Sequence, residues 1–199
     1  MSIRLNGSTS GYVEIDAPAT AGSNTLVLPT GNGSADQALI TNGSGTLSFA
    51  DRGRIVQGTA QNSTSGTAID FTGIPSWVKR ITVMFNGVSL SGSTYMRVQL
   101  GTASGITSSG YSGVTSFANA AGSAGAGSFS AGFDTYADNA ATVLRRGSLV
   151  LNNSSGNIWV GSGIICSDVS TFTMQIAGAV TLSGTLDRVR ITSSNSFVS

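Results

Sequence analysis

The clearest alternation of apolar and polar residues in this chain lies within residues 71–90, FTGIPSWVKRITVMFNGVSL. Apolar side chains recur at every second position from 81 to 85, which is the period of a half-buried β-strand. Pro75 precedes this run and Gly87 follows it, and both are residues that commonly bound strands. The pattern therefore predicts a strand over 78–86.

Similar runs, separated by turn residues, recur through 67–199, which is typical of an antiparallel β-sandwich or jelly roll. The predicted strands are 67–72, 78–86, 94–101, 128–134, 145–152, 157–166, 171–178 and 186–193. The predicted core residues are Trp77, Phe85, Trp159, Ile165, Phe172, Met174 and Ile176.

Two other segments interrupt this series of strands. Residues 102–127, TASGITSSGYSGVTSFANAAGSAGAG, are small and polar and predict a long loop on the β scaffold, a common position for a binding surface. No segment shows a convincing 3.6-residue apolar period, and the best helical candidate is 136–146. The chain is therefore expected to be all-β.

The first 54 residues contain only short apolar pieces between Gly, Asn, Ser and Pro. These pieces are 12–15, 25–29, 38–41 and 46–49. Isolated hairpins are marginal in water, so we expect several copies of the chain to share a core here. This predicts three regions: short strands in 1–54, a linker or neck in 55–66, and a sandwich in 67–199.

Composition restricts the classes of partner. Charged residues make up 10% of the chain and the net charge is +1, with the arginines scattered, so no basic surface for nucleic acid is expected. The N-terminus lacks the apolar stretch of a signal peptide and no run is long enough to span a membrane. We therefore expect synthesis in a cytoplasm without a cleaved export signal, and no membrane insertion. A surface so poor in charge suits a protein that is partly buried in an oligomer.

The residue types do not favour catalysis. The chain has no His, which removes the commonest general base and metal ligand, and it has a single Cys. It also lacks a GxSxG elbow and a P-loop. We expect no enzymatic activity, no metal site and no cofactor.

Asp134 and Asp138, in GFDTYADN, form the one pair of carboxylates that merits weighing. They could flank a glycosidic bond, hold Ca²⁺ or simply lie in a solvated loop, and we favour the loop. Cys166 has apolar neighbours and is predicted to be a buried structural thiol.

The remaining arginines have structural interpretations. Arg145 and Arg146 could bind an acidic glycan, although a solvated strand end is the favoured interpretation. Arg188 and Arg190 alternate with apolar residues and are expected on the polar outer face of the last strand, or in an ion pair between subunits.

Three aromatic residues are candidate binding residues: Tyr111 and Phe117, within the predicted loop, and Tyr136, between the two carboxylates. An aromatic ring can stack on a sugar or contact a receptor. It can equally pin a loop to the sandwich or fill a subunit contact, and for Tyr111 and Phe117 we favour this second interpretation.

Residues 10–51, SGYVEIDAPATAGSNTLVLPTGNGSADQALITNGSGTLSFAD, resemble the N-terminal or shaft repeat of tail fibres and related appendages of tailed bacteriophages, marine and cyanobacterial phages included. Residues 71–93 and 182–197 resemble segments of the C-terminal β domain of such fibres. The resemblance implies a homotrimer with intertwined N-terminal strands. In the family another strand usually follows DRVRIT, whereas this chain stops at NSFVS, so we expect the sheet to close differently or with a neighbour's strand.

These observations predict a non-enzymatic structural protein of a phage virion. Its N-terminal region would attach to other virion proteins, and its C-terminal domain would be displayed and could contact a host cell-surface glycan. The alternatives are a capsid decoration protein, a stand-alone lectin-like carbohydrate-binding module, and a glycan-degrading tailspike that uses Asp134 and Asp138.

Overall fold

The computed structural model describes residues 2–35, 37–50, 55–136, 143–168 and 172–198. Over these ranges the protein is all-β: it contains no helix, and its strands pair antiparallel. The best helical candidate, 136–146, forms no helix in its described residues: Arg145 begins a strand, as predicted, and residues 137–142 lie outside the described residues. The chain forms two compact units, residues 1–59 and residues 60–199.

The first unit contains two antiparallel hairpins. Strands β1 (Ile3–Asn6) and β2 (Tyr12–Ile15) form one, and β3 (Ala38–Thr41) and β4 (Leu47–Ala50) form the other. The predicted strand over 25–29 is reduced to a single bridge between Val27 and Thr46. Every residue of β1 and β2 is exposed.

The second unit consists of two sheets. The larger sheet has seven strands in the order β10-β9-β14-β13-β12-β6-β16. Their bounds are β6 (Arg80–Leu90), β9 (Tyr111–Asn119), β10 (Ala124–Phe129), β12 (Arg145–Ser155), β13 (Ile158–Ser167), β14 (Phe172–Thr181) and β16 (Phe197–Val198). The smaller sheet has the order β11-β7-β15-β5, and β8 pairs with β7 beside it. Its strands are β5 (Ala68–Phe71), β7 (Arg97–Thr102), β8 (Gly105–Ile106), β11 (Phe133–Asp134) and β15 (Arg188–Thr192).

Apolar side chains from both sheets meet in one core, a two-layer arrangement consistent with the predicted β-sandwich. Four of the predicted core residues belong to it, Phe85, Trp159, Ile165 and Ile176, and Met174 is also fully buried. The other two are not buried. Trp77 is exposed because it lies in the turn before β6, and Phe172 is only half-buried at the start of β14.

Every strand predicted within 67–199 overlaps an observed strand, but the predicted loop over 102–127 is wrong. Strands β9 and β10 lie there and form the hairpin at one edge of the larger sheet. The sequence signal is weak because the inward position Gly113 has no side chain, and the ring of Phe129 on the neighbouring strand fills the space instead.

A row of three glycines crosses the inner face of the larger sheet. Gly113, Gly178 and Gly161 pair in register on β9, β14 and β13. A Cβ built on Gly161 would lie 2.6 Å from the ring of Phe133, and one on Gly178 would lie 2.8 Å from the ring of Phe129. Because these glycines have no side chains, the two aromatic rings can pack closely against this part of the sheet.

Strand β6 contains a bulge where the sequence predicts its end. The register with β12 shifts at Gly87, which adopts φ 74°, a conformation that glycine tolerates and most residues do not. The strand therefore continues to Leu90, and Val88 faces the buried side chain of Arg145.

Arg145 and Arg146 point to opposite faces of β12, as neighbouring strand residues must. Arg145 is 0% exposed, and its guanidinium donates hydrogen bonds to the carbonyl oxygens of Val143 and Thr94, each 3.4 Å away. The prediction of a solvated strand end is therefore wrong for Arg145. Arg146 is exposed and pairs with Asp168 at 3.3 Å.

The C-terminal residues form a strand, contrary to the expectation that this sheet lacks one. β16 pairs with β6 through Phe197↔Leu90, and Phe197 is fully buried. The strand is short, so most of β6 beyond it still forms a sheet edge.

We predict that Gly161→Ala lowers the free energy of unfolding by about 1–3 kcal/mol, because the new methyl group must displace the buried ring of Phe133. Gly127→Ala on β10 is the matched control, since a Cβ there meets nothing within 4 Å. It should change stability by less than about 1 kcal/mol. Urea unfolding measures both, and equal effects would contradict the packing role of the glycine row.

We predict that Arg145→Ala destabilises the protein by about 2–4 kcal/mol, because it leaves a cavity and removes the donors that satisfy buried carbonyl groups. The neighbouring variant Arg146→Ala loses an exposed ion pair and should cost less than about 1 kcal/mol. Thermal unfolding of both variants tests this. A cost for Arg146→Ala as large as that for Arg145→Ala would contradict it.

Candidate functional site

Tyr111 is part of the core, where it links the two sheets. It is 4% exposed at the start of β9, and its ring meets Phe133 edge-on with centroids 5.3 Å apart. Its hydroxyl oxygen accepts a hydrogen bond from the backbone N–H of Leu100 at 2.7 Å. The structure therefore does not display Tyr111 to a ligand, and its position agrees with the favoured interpretation of an aromatic residue that pins its segment to the sandwich.

Burial also affects the ionisation of this phenol. Removal from water raises the pKa of Tyr111 to about 12, although the hydrogen bond from Leu100 acts in the opposite direction. The group therefore stays neutral throughout the physiological range.

The other two candidates, Phe117 and Tyr136, lie together. Their ring centroids are 4.2 Å apart, and Phe172 packs against Phe117 at 5.0 Å. All three side chains are half-buried. This aromatic cluster is the one place where the structure joins predicted binding residues, and sequence reasoning had placed its third member, Phe172, in the core.

The cluster is held from within the larger sheet. Phe117 pairs with Met174 on one side and with Gly125 on the other. A Cβ on Gly125 would lie 2.5 Å from the Phe117 ring, so the absence of that atom gives the ring its position on the inner face. The partly exposed rings could present an apolar face to a sugar or to a protein.

The carboxylate of Asp134 forms an ion pair with Arg97. Arg97 donates two hydrogen bonds to its carboxylate, at 2.6 Å and 2.8 Å, and this bonding to Asp134 raises the pKa of Arg97. The second predicted carboxylate, Asp138, lies outside the described residues. Among the described residues, no group of three or more His, Cys, Asp or Glu side chains is placed to hold a metal ion.

The outer face of the smaller sheet carries a series of ion pairs. Arg190 donates two hydrogen bonds to Asp70, each 2.7 Å long, which hold the pKa of that carboxyl below its ordinary value. Arg188 pairs with Asp187 at 2.8 Å. These contacts lie within one chain, which agrees with the predicted polar outer face and leaves no need for an ion pair between subunits.

A shallow cleft of about 110 Å³ opens beside β12 and β13. Lys79, Asn153, Trp159 and Leu186 are among its lining residues, and the Lys79 ammonium group donates to Asn153 at 3.1 Å. Sites for small organic ligands usually measure roughly 300–1,000 Å³, so this cleft is too small for one.

The thiol of Cys166 is exposed, so the prediction of a buried cysteine is wrong. The apolar neighbours misled the prediction: Ile165 faces the core, and the alternation of β13 turns Cys166 outward.

Comparison with protein-family models, with curated proteins and with solved structures finds no match to this chain. No helix in the described part of the chain has the length and apolar character that crossing a bilayer requires.

We predict that alkaline pH destabilises the protein through Tyr111. Its pKa is higher in the folded chain, about 12, than the value of about 10 expected when unfolded, so the stabilisation is complete below about pH 10 and is lost as pH rises towards 12. The loss should be on the order of 2 kcal/mol. The urea midpoint of unfolding, measured between pH 9 and 11.5, tests this loss of stability. The midpoint of the Tyr111→Phe variant should fall less steeply as the pH rises. Parallel curves for the two proteins would contradict the assignment.

Proposed function

We propose that this protein is a structural component of a phage virion, a homotrimeric tail fibre or similar appendage. Its first unit joins the copies to one another and to the particle, and its second unit is displayed towards the host. The resemblance of residues 10–51 to phage fibre repeats supports this proposal, and one surface of the first unit carries it.

That surface is the apolar face of the β1–β2 hairpin. Ile3 pairs with Ile15 and Leu5 pairs with Val13, so all four side chains project from the same face. They are 59–66% exposed. A two-stranded hairpin with this face in water would be marginal, and it gains stability when another apolar surface covers it.

The charged side chains on the opposite face of the hairpin already have partners within the chain. Arg4 pairs with Glu14 at 3.1 Å, and the Arg4 guanidinium lies 4.0 Å from the ring centre of Tyr12. The hairpin is therefore amphipathic, with an ion pair towards water and aliphatic side chains towards a partner.

Identical hairpins from further copies are the partner that we propose. Each copy brings the same uncharged face, so three faces can close around a shared core without an unpaired charge. The exposed side chains of Leu26, Val27 and Leu28 in the same unit extend the apolar surface available for such a core.

Display of the second unit in several copies suits attachment through weak contacts. Multivalency raises avidity steeply, so a partly exposed aromatic cluster such as Phe117, Tyr136 and Phe172 can contribute without a deep pocket. A host cell-surface glycan is the proposed ligand class, because sugars stack on aromatic rings.

The native mass of the purified full-length chain tests the proposal. We expect about three times the chain mass of 20.0 kDa. Val13→Asp should shift the protein towards the monomer by charging the shared face, whereas Asn6→Asp on the opposite face should leave the trimer intact. Light scattering on a sizing column measures all three.

A folded monomer from the native chain would overturn the trimer and favour a stand-alone carbohydrate-binding module. A trimer that is insensitive to Val13→Asp would show that the hairpin is not the shared core.

A further inference from the structure

The two outer faces of the second unit differ sharply in charge. The smaller sheet exposes the ion pair of Asp70 with Arg190 and carries a second, largely buried pair of Arg97 with Asp134. Among the described residues, the outward positions of β6, β9, β10, β12, β13 and β14 in the larger sheet carry no carboxylate. Their cations are Arg80 and Arg146, on two neighbouring strands at one side.

This outer face, in which Arg80 and Arg146 are the charged residues of the strands named above, is built from rows that run across the sheet in register. The central row is Met84, Ser148, Ile164, Gln175, Ser116 and Ala126. Met84 is 79% exposed and Ile164 is 59% exposed. The adjacent row adds Val114, and the row beyond it adds Val160 together with Arg80; both valines are exposed. Large aliphatic side chains thus stand among small ones on a broad, regular surface.

The area of this face is smaller than that of a standard protein contact. Measured between the outermost strand axes and residues, six strands at about 4.8 Å spacing and seven residues at about 3.3 Å rise span about 24 Å by about 20 Å, a footprint of about 500 Å². Three such faces around one axis would bury at most about 500 Å² per copy, compared with roughly 800 Å² per partner in a standard interface. The contact would therefore need support from a second one, such as the shared hairpins.

The chemistry of the face limits what can cover it. A strongly acidic partner would meet arginines only along one side, where Asp168 already pairs with Arg146, and a basic partner would find no carboxylate at the outward strand positions described above. A regular sheet face without a cleft also offers a small molecule little enclosure. Another aliphatic sheet face that is poor in charge would match this surface best. Each copy of this chain carries such a face.

We propose that the outer faces of the seven-stranded sheets of the three copies pack against one another around the threefold axis of the proposed trimer. The inference rests on the proposed self-association, which would bring the second units together at high effective concentration. It adds a second contact surface, separate from the hairpins of the first unit.

The rate at which the thiol of Cys166 is modified can measure this contact. Cys166 is the single cysteine of the chain and is exposed on the same face, beside Arg146. We expect N-ethylmaleimide to modify it at least about tenfold more slowly in the native full-length protein than it modifies a cysteine on the opposite outer face. Ala68→Cys in a Cys166→Ser background supplies that reference, since Ala68 is exposed on β5. Rates in urea correct for differences in intrinsic reactivity.

Charging the face should abolish the protection. Ile164→Arg should raise the Cys166 rate to that of the reference, whereas Ala68→Arg should leave it slow. Both positions are exposed, so both variants should fold, and their thermal midpoints check this.

The outcomes separate this inference from the proposed function. A trimeric mass with rapid modification of Cys166 overturns the inference and leaves the hairpin-based trimer standing. A monomeric mass overturns both. Slow modification that persists in Ile164→Arg also overturns the inference, because the protection would then arise elsewhere.

Discussion

Two phenylalanine rings can pack between the layers of the second unit because three neighbouring strands of the larger sheet carry glycine in a single row. Phe129 comes from the edge strand β10 and Phe133 from the smaller sheet, and their centroids are 5.8 Å apart. Tyr111 contacts Phe133 edge-on and hydrogen-bonds to Leu100 on the smaller sheet. The glycine row thus sets where the edge hairpin attaches and how both layers meet there.

Much of the fold could be predicted from the alternation of side chains between the two faces of each strand. In β12, β13 and β14 the inward positions carry most of the large apolar residues, and the sequence located all three strands. The same rule, applied more strictly, would have separated Arg145 from Arg146 and turned Cys166 outward. Local composition misled the prediction at both places, because neighbouring apolar residues do not say which face of a strand a side chain occupies.

Strands β9 and β10 could not be predicted from their own residues. Their inward positions include Gly113 and Gly125, and the ring that covers each glycine lies on the partner strand of the hairpin, so neither strand shows a clear apolar alternation by itself. The sequence likewise named two of the three clustered aromatic residues, Phe117 and Tyr136, without indicating that they touch. No sequence pattern indicated the outer face of the larger sheet. Met84 and Ile164 lie in one row only because the strands that carry them pair in this register.

The pairing of β16 with β6, and of β15 with β5, has a consequence for how the second unit is made. The first strands of this unit to leave the ribosome, β5 and β6, each have a sheet partner at its far end, although β6 can pair with β12 earlier. The N–H of Phe197 also bonds back to the carbonyl of Gly66 at 2.7 Å. Such distant pairings make folding slow, because a long loop must close before any of their contacts forms. Until translation is nearly complete, β5 therefore lacks its partner β15 and one edge of β6 stays unpaired.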